Sequence, residues 1–352
     1  MKNLSLQTLK IGYAPCSPSL ELPGDRRRFV FYAQQRGIAF EIANPKKKYD
    51  LVILTECADL SVWLRYPHGK IVFDLIDSYL AIPTSDLKGT FRGLAKYLWR
   101  QTRYLHLDFH KLVSQMCEKA AAVICSTQEQ AHDISVFCSN THIVLDAHQM
   151  VLRGAVKSDY NAHEPFRIVW EGLPHTLGAL DSLDPVLEKI SQKYPIELHV
   201  VTDLVSHRFL GTHGKIQTQK RLSHYKTEVI LHEWNEITWA DTITRCDLAV
   251  IPIPMTDPFA AGKPENKLLL FWRLGMPVIA SATPAYKRAM LLADVDMYCS
   301  TLDAWRTKIV ASIENQAYRK EMAIRGNAVA LHNYSEEKLL VAWDQVFESI
   351  LA

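Results

Sequence analysis

GKPENKLLLFWRLGMPVIASATPAY, residues 262–286, sets several kinds of element side by side. A loop with Pro and Gly delivers Glu265, Asn266 and Lys267 to the start of an apolar-rich helix. Backbone N–H groups and the helix dipole favour an anion at such a start. A lysine there adds a full positive charge. The helix ends at Gly275 and Pro277, which do not continue it. VIAS, 278–281, reads as a buried strand, and it aims a second loop, Thr283 to Tyr286, at the same edge. A nucleotide diphosphate carrying a sugar suits this constellation. The plain alternative is an ordinary helix start with a solvated lysine.

Outward from this stretch, short apolar runs alternate with amphipathic ones. In the first half they are LKIGYA (9–14), IAFEIA (38–43), YDLVILT (49–55), KIVFDLI (70–76), AAAVICST (120–127) and THIVLD (141–146). In the second half they are FRIVWEG (166–172), IELHVVTD (196–203), EVILHEW (228–234), DLAVIPI (247–253) and MPVIASA (276–282). Bounded runs rich in Val and Ile are what buried parallel strands look like. The stretches between them read as helices: one from Arg26 to about Gln35, and a last one opening at Ser335 and Glu336. Such alternation predicts βαβ units. LRGAVKSDYNAHEP (152–165) lacks periodicity and reads as a linker. The expected class is α/β, with two Rossmann-like doubly wound domains facing across a cleft. Their expected bounds are 1–155 and 156–334, with helix 335–352 packing back on the first.

The chain has 352 residues, with 40 Lys and Arg against 38 Asp and Glu, a net charge of +2. That balance excludes a dedicated nucleic-acid binder. With 48% hydrophobic and 22% charged residues, disorder is excluded as the main state. The seven cysteines are scattered without a CxxC pair, which points to buried thiols in a reducing compartment rather than a disulfide framework or zinc ribbon. No signal-peptide run precedes Pro15, and no run reaches membrane-span length. A cytoplasmic chain is expected.

The Lys267 to Ala280 pattern resembles the GT-B glycosyltransferases, especially the retaining family 4. That family has a Lys, an apolar-rich helix and then Gly-x-Pro-Val-(Val/Ile)-Ala-Ser. Lys267 stands eight residues before Gly275, as the family's phosphate-contacting Lys does. CDLAVIPI resembles the strand before the donor loop. EVILHEW resembles the strand that meets the nucleobase, which points to Glu233 and Trp234. FRIVWEG resembles the strand and turn opening the second domain, at Gly172. The Gly24 loop resembles the Gly-rich loop under the donor phosphate. AAAVICST resembles the family's last-but-one strand, ending at Ser126. The family's ribose-holding acid falls at Leu270 and its partner Glu at Gly262; Glu265 is a candidate substitute in a different register. GLPHTLG offers only His175 in place of the family's basic residues after the Gly turn. The resemblance implies glycosyl transfer without a metal or cofactor, from a UDP- or GDP-type nucleotide sugar. It implies a glycan or lipid-linked acceptor in surface polysaccharide assembly. A nucleotide-sugar epimerase and a non-catalytic GT-B subunit are the alternatives.

Other candidates come from the residues. Asp74 and Asp77 lie in FDLIDSY, where a strand ends; Asp77, at its tip, is a candidate general base. GDRRRF places three cations, Arg26 to Arg28, at a helix start, where a phosphate or acidic acceptor would offset the unfavourable dipole. Asp25 is a second candidate base, and Glu265 is counted with the catalytic carboxylates. Arg26 and Asp59 are expected to meet the acceptor. Gly24, Gly172, His175, Glu233, Trp234, Asn266, Lys267 and Tyr286 are expected to meet the donor. His106, Asp108 and His110 form a weak H-x-D-x-H metal pattern. A basic amphipathic stretch, 87–112, can lie on an anionic membrane surface or pack on its own sheet.

Overall fold

The computed structural model describes residues 6–82, 103–104, 108–149, 152, 154–207 and 215–351. The chain divides into two compact units. One is Met1–His148 with Thr256–Pro264 and Glu336–Ala352; the other is Gln149–Met255 with Glu265–Ser335.

In the first unit six strands form one parallel sheet. They are β1 (Ile11–Ala14), β2 (Glu41–Ile42), β3 (Leu51–Thr55), β4 (Lys70–Asp74), β5 (Ala122–Cys125) and β6 (Thr141–Ile143). Their order is β2-β1-β3-β4-β5-β6. β1, β3 and β5 are buried along their whole length, which is why their runs read as continuously apolar. In the second unit the strands are β7 (Phe166–Glu171), β8 (Ile196–Thr202), β9 (Val205–His207), β10 (Lys215–Gln217), β11 (Glu228–Glu233), β12 (Leu248–Ile251), β13 (Val278–Ser281) and β14 (Tyr298–Cys299). The order β11-β8-β7-β12-β13-β14 makes a second parallel sheet, and β9 and β10 form an antiparallel pair. Each sheet therefore has one place where successive strands depart in opposite directions. It lies between β1 and β3 in the first and between β7 and β12 in the second. Loops leaving the strand ends there diverge and open a crevice.

The first core is built on rings. Phe29 and Tyr32, on the Phe29–Arg36 helix, meet Trp343 and Phe347 of the Glu336–Leu351 helix at 5.3–6.3 Å between centroids. Tyr32 Oη and Arg36 Nη2 donate to Asp344 at 2.9 and 2.6 Å. Arg28 has no exposed surface. Its Nε and Nη2 donate to Asp74 at 2.8 and 2.6 Å, and its Nη1 donates to the Val144 carbonyl and to Asp146. One guanidinium thus ties the first helical segment to the ends of β4 and β6. The anion that offsets the Arg26–Arg28 cations is, for Arg28, internal to the protein.

Several expectations are corrected. The helix expected from Arg26 to Gln35 is two pieces, Pro23–Arg26 and Phe29–Arg36, because Arg28 leaves helical geometry to reach Asp74. The 152–165 stretch is not a loose linker. The second unit begins at Gln149, Lys157 N–H donates to the Leu274 carbonyl, and buried Tyr160 Oη donates to that of Gly275, both at 2.9 Å. Segment 256–264 belongs to the first unit, not the second. Cys16 and Cys57 form a disulfide, with Cα atoms 4.8 Å apart, because β1 and β3 are neighbours. The remaining five cysteines are buried thiols, and burial pushes Cys117, Cys125, Cys246 and Cys299 up to about 12. Most of 87–112, including His106, lies outside the described residues; Phe109–Lys119 is a helix. No helix among the described residues is long and apolar enough to cross a membrane.

Removing one partner of a buried ion pair strands the other charge. Arg28→Met is therefore expected to cost about 3–5 kcal/mol in urea unfolding; a loss below about 1 kcal/mol would contradict this role for Arg28.

Candidate functional site

In the second unit, β7 ends in Trp170 and Glu171 and turns at Gly172. The Asn266–Arg273 helix starts beside it. Lys267 Nζ donates to the Glu171 carbonyl at 2.5 Å, lies 3.2 Å from Glu171 Oε2, and sits 5.7 Å from the centre of the Trp170 ring. The lysine is about a third exposed. Glu265, the residue before the helix, is buried and accepts from Tyr334 Oη at 3.1 Å. Tyr286 is buried, and its backbone N–H caps onto Thr283 Oγ1 at 3.2 Å. Burial, then the Glu265 and Glu171 carboxylates, push the Tyr286 phenol well above its ordinary range. Lys267, Glu171, Glu265 and Tyr286 thus gather at the β7/β12 switch point. They set one cation among two carboxylates at a helix start. A phosphate can replace Glu171 on Lys267, and carboxylates released there can accept from sugar hydroxyls.

Glu233 ends β11 and Trp234 follows, its N–H donating to the Thr202 carbonyl at 3.0 Å. Both share the C-terminal sheet edge with Glu171, since all strands run parallel, but they stand two strands from β7. His175 lies in the Pro174–Thr176 turn. Gly172 is dictated by space: a Cβ there would stand 2.6 Å from the Trp170 ring and 3.0 Å from Thr176 Oγ1. Gly262, where the resemblance expects a Glu, likewise has no room, because a Cβ would collide with Ser78 Oγ.

In the first unit the expected carboxylates separate. Asp25 has no exposed surface and accepts from Tyr13 Oη, Cys16 N–H and Ser17 N–H at 2.7–3.0 Å. It clamps the loop after β1. Gly24 lies in the short Pro23–Arg26 helix that follows the loop after β1. Asp59 caps the Leu60–Trp63 helix through Ser61 N–H and Ser61 Oγ, and accepts from Arg103 N–H at 2.7 Å. Asp108 caps the Phe109–Lys119 helix through Lys111 N–H. Arg26 is half-buried in the Pro23–Arg26 helix.

Asp77 remains half-buried past the end of β4. Its N–H donates to Glu56 Oε2 at 2.8 Å. Burial pushes the Asp77 carboxyl up, Lys263 opposes this, and Asp146 adds to it. Burial and the Asp77 carboxylate push Glu56 up to about 8. Glu171, Glu56 and Lys263 were not singled out from sequence. A charged residue ending an apolar strand run is the signal that marks the first two.

No protein-family profile and no curated protein matches this chain. Solved structures do. TarM superposes with a TM-score of 0.59 at 12% identity, over 84% of this chain and 54% of TarM. TarM from S. aureus, solved with UDP, α-GlcNAc-glycerol and fondaparinux, gives 0.56 at 13% over 84% and 55%. A sucrose-phosphate synthase from Thermosynechococcus elongatus gives 0.59 at 14%, over 92% of this chain and 76% of the synthase. This chain therefore spans little more than half of TarM. These neighbours are GT-B glycosyltransferases, and the shared fold is the two parallel α/β sheets with flanking helices.

Gly172→Ala is expected to displace the Trp170 ring. Near-UV circular dichroism should change and stability fall by about 1–3 kcal/mol; an unchanged spectrum and melting curve would contradict the packing at this turn.

Proposed function

We propose that the chain is a glycosyltransferase. It moves a sugar from a nucleotide sugar to a glycan, lipid-linked or other glycoconjugate acceptor, in surface polysaccharide assembly. The observation that carries this reading is Lys267 at the start of the Asn266–Arg273 helix, meeting Glu171 at the switch point of the second sheet. Open α/β sheets bind ligands at this position, and a helix start favours phosphate. TarM, of like fold, was solved with UDP and a GlcNAc-bearing compound.

In this reading the donor diphosphate takes Lys267 and the Asn266 N–H end of the helix. Glu171 and Glu265 receive hydroxyls of the ribose or the sugar, in place of the acid missing at Leu270. The base lies toward Glu233 and Trp234, with UDP- or GDP-type donors expected. The acceptor hydroxyl gives its proton to a carboxylate, with Asp77 the candidate base, as its oxygen forms a bond to the anomeric carbon. The bond from that carbon to the phosphate oxygen breaks, and its electron pair leaves on the diphosphate. Lys267 stabilises that developing charge. No metal or cofactor is invoked.

Leu270 and Gly262 favour one second reading, a donor-binding subunit that does not turn over. Incubation with a panel of UDP- and GDP-sugars separates the two. Release of UDP or GDP is expected from at least one donor, and binding without release would favour the subunit. Binding of none would sink both. Lys267→Ala is expected to weaken UDP or GDP affinity at least about tenfold in calorimetry, with stability within about 1 kcal/mol of wild type; unchanged affinity would place the phosphate elsewhere.

A further inference from the structure

Glu265 stands immediately before the Asn266–Arg273 helix, and its backbone carbonyl accepts from Leu269 N–H at 3.0 Å, a bond of the first turn. A carboxylate here has a favourable place to go: back onto its own helix start, where the dipole draws an anion. The Glu265 side chain does not take it and makes no capping hydrogen bond. It is turned instead to Tyr334, whose Oη donates to Glu265 Oε1 at 3.1 Å.

Tyr334 meets the helix at both ends. It sits in the turn after the Gln316–His332 helix. Its hydroxyl reaches the residue before the helix, and its carbonyl accepts from Nη2 of Arg273, the last helical residue, at 2.5 Å. At that far end Asn327 Nδ2 donates to the Trp272 carbonyl at 2.8 Å, and a Cβ at Gly326 would collide with the Trp272 ring. Trp272 has no exposed surface. The far end is thus fixed by backbone and packing that do not involve the Tyr334 hydroxyl. The near end, which carries Lys267, is where that hydroxyl acts. Burial, then Glu265, push the Tyr334 phenol well above its ordinary range, with Arg288 opposing. At neutral pH the phenol is therefore the donor and the carboxylate its acceptor.

We propose that Tyr334 is a positioning residue of the donor site: it draws the Glu265 carboxylate away from the helix start and so leaves the N–H groups there, beside Lys267, to a diphosphate. The inference rests on the donor-binding part of the glycosyltransferase reading. Two anions compete for one helix start, the protein's own and the ligand's. The tyrosine hydroxyl biases that competition toward the ligand. Without it the carboxylate is left to the dipole, two positions from Lys267 in the chain, and becomes an internal competitor of phosphate. In this role Tyr334 need not touch the donor; it acts through Glu265.

The test is UDP and GDP affinity, measured by calorimetry, in four proteins: wild type, Tyr334→Phe, Glu265→Ala and the double variant. Tyr334→Phe removes only the hydroxyl. The ring and the carbonyl that Arg273 uses stay, and one hydrogen bond is too little to unfold the chain. The variant is expected to bind UDP or GDP, whichever wild type binds, about three- to tenfold more weakly. In the Glu265→Ala background the same change should have no effect, because no carboxylate is left to compete. A tyrosine that merely stiffens the helix would lower affinity by the same factor in both backgrounds, and that result overturns the proposal. So does an unchanged affinity in Tyr334→Phe. In either case wild type still binds nucleotide, so the donor reading stands and the inference alone falls. If wild type binds neither UDP nor GDP, the donor reading falls and takes the inference with it.

Discussion

The contact between Lys267 and Glu171 joins a helix start to the end of the strand beside which the second sheet changes direction. It is a part-exposed ion pair, worth at most about 1 kcal/mol to stability. Its weight lies in position. The lysine is held over Trp170 and against the Glu171 carbonyl, so its ammonium is already placed when a stronger anion arrives. The weakness of the pair makes the exchange inexpensive. Glu265 and Tyr286, buried on either side, hold the frame within which that exchange occurs.

The first unit divides its charges into two kinds. Arg28 with Asp74, and Asp25 with three donors, are buried, and Asp146, 14% exposed, completes the Arg28 network. They shape the loops and have nothing left to offer a ligand. Glu56 and Asp77 differ: each keeps some exposed surface, on backbone that Gln130 and the Cys16–Cys57 link hold in place. A site needs both kinds, since a carboxyl with unspent hydrogen-bonding capacity must be carried on backbone that cannot relax around it.

Much of the architecture follows from local pattern. LVILT, AVIC and VIAS are buried strands because their apolar runs leave no polar face. The alternation of strands and helices along the chain gives two parallel sheets, each with one switch point. What local pattern could not supply was pairing across the fold. Asp25 and Asp77 look alike in sequence, and only Tyr13 and Glu56, brought in by β1 and β3, tell them apart. Cys16 and Cys57 are 41 residues apart and meet only because their strands are adjacent. Gly262 is glycine because Ser78 fills the space a side chain would need. The Lys267 helix start was readable from its loop, its charge and its apolar stripe. Its partner Glu171 closes an apolar strand run, which marks the position but not the lysine it meets across the fold.

A crystal structure of the chain with UDP or GDP would test the central claim most directly. The diphosphate should lie at the start of the Asn266–Arg273 helix, with Lys267 Nζ moved from the Glu171 carboxylate onto a phosphate oxygen. A nucleotide bound elsewhere, or Lys267 still paired with Glu171 beside it, would contradict the account.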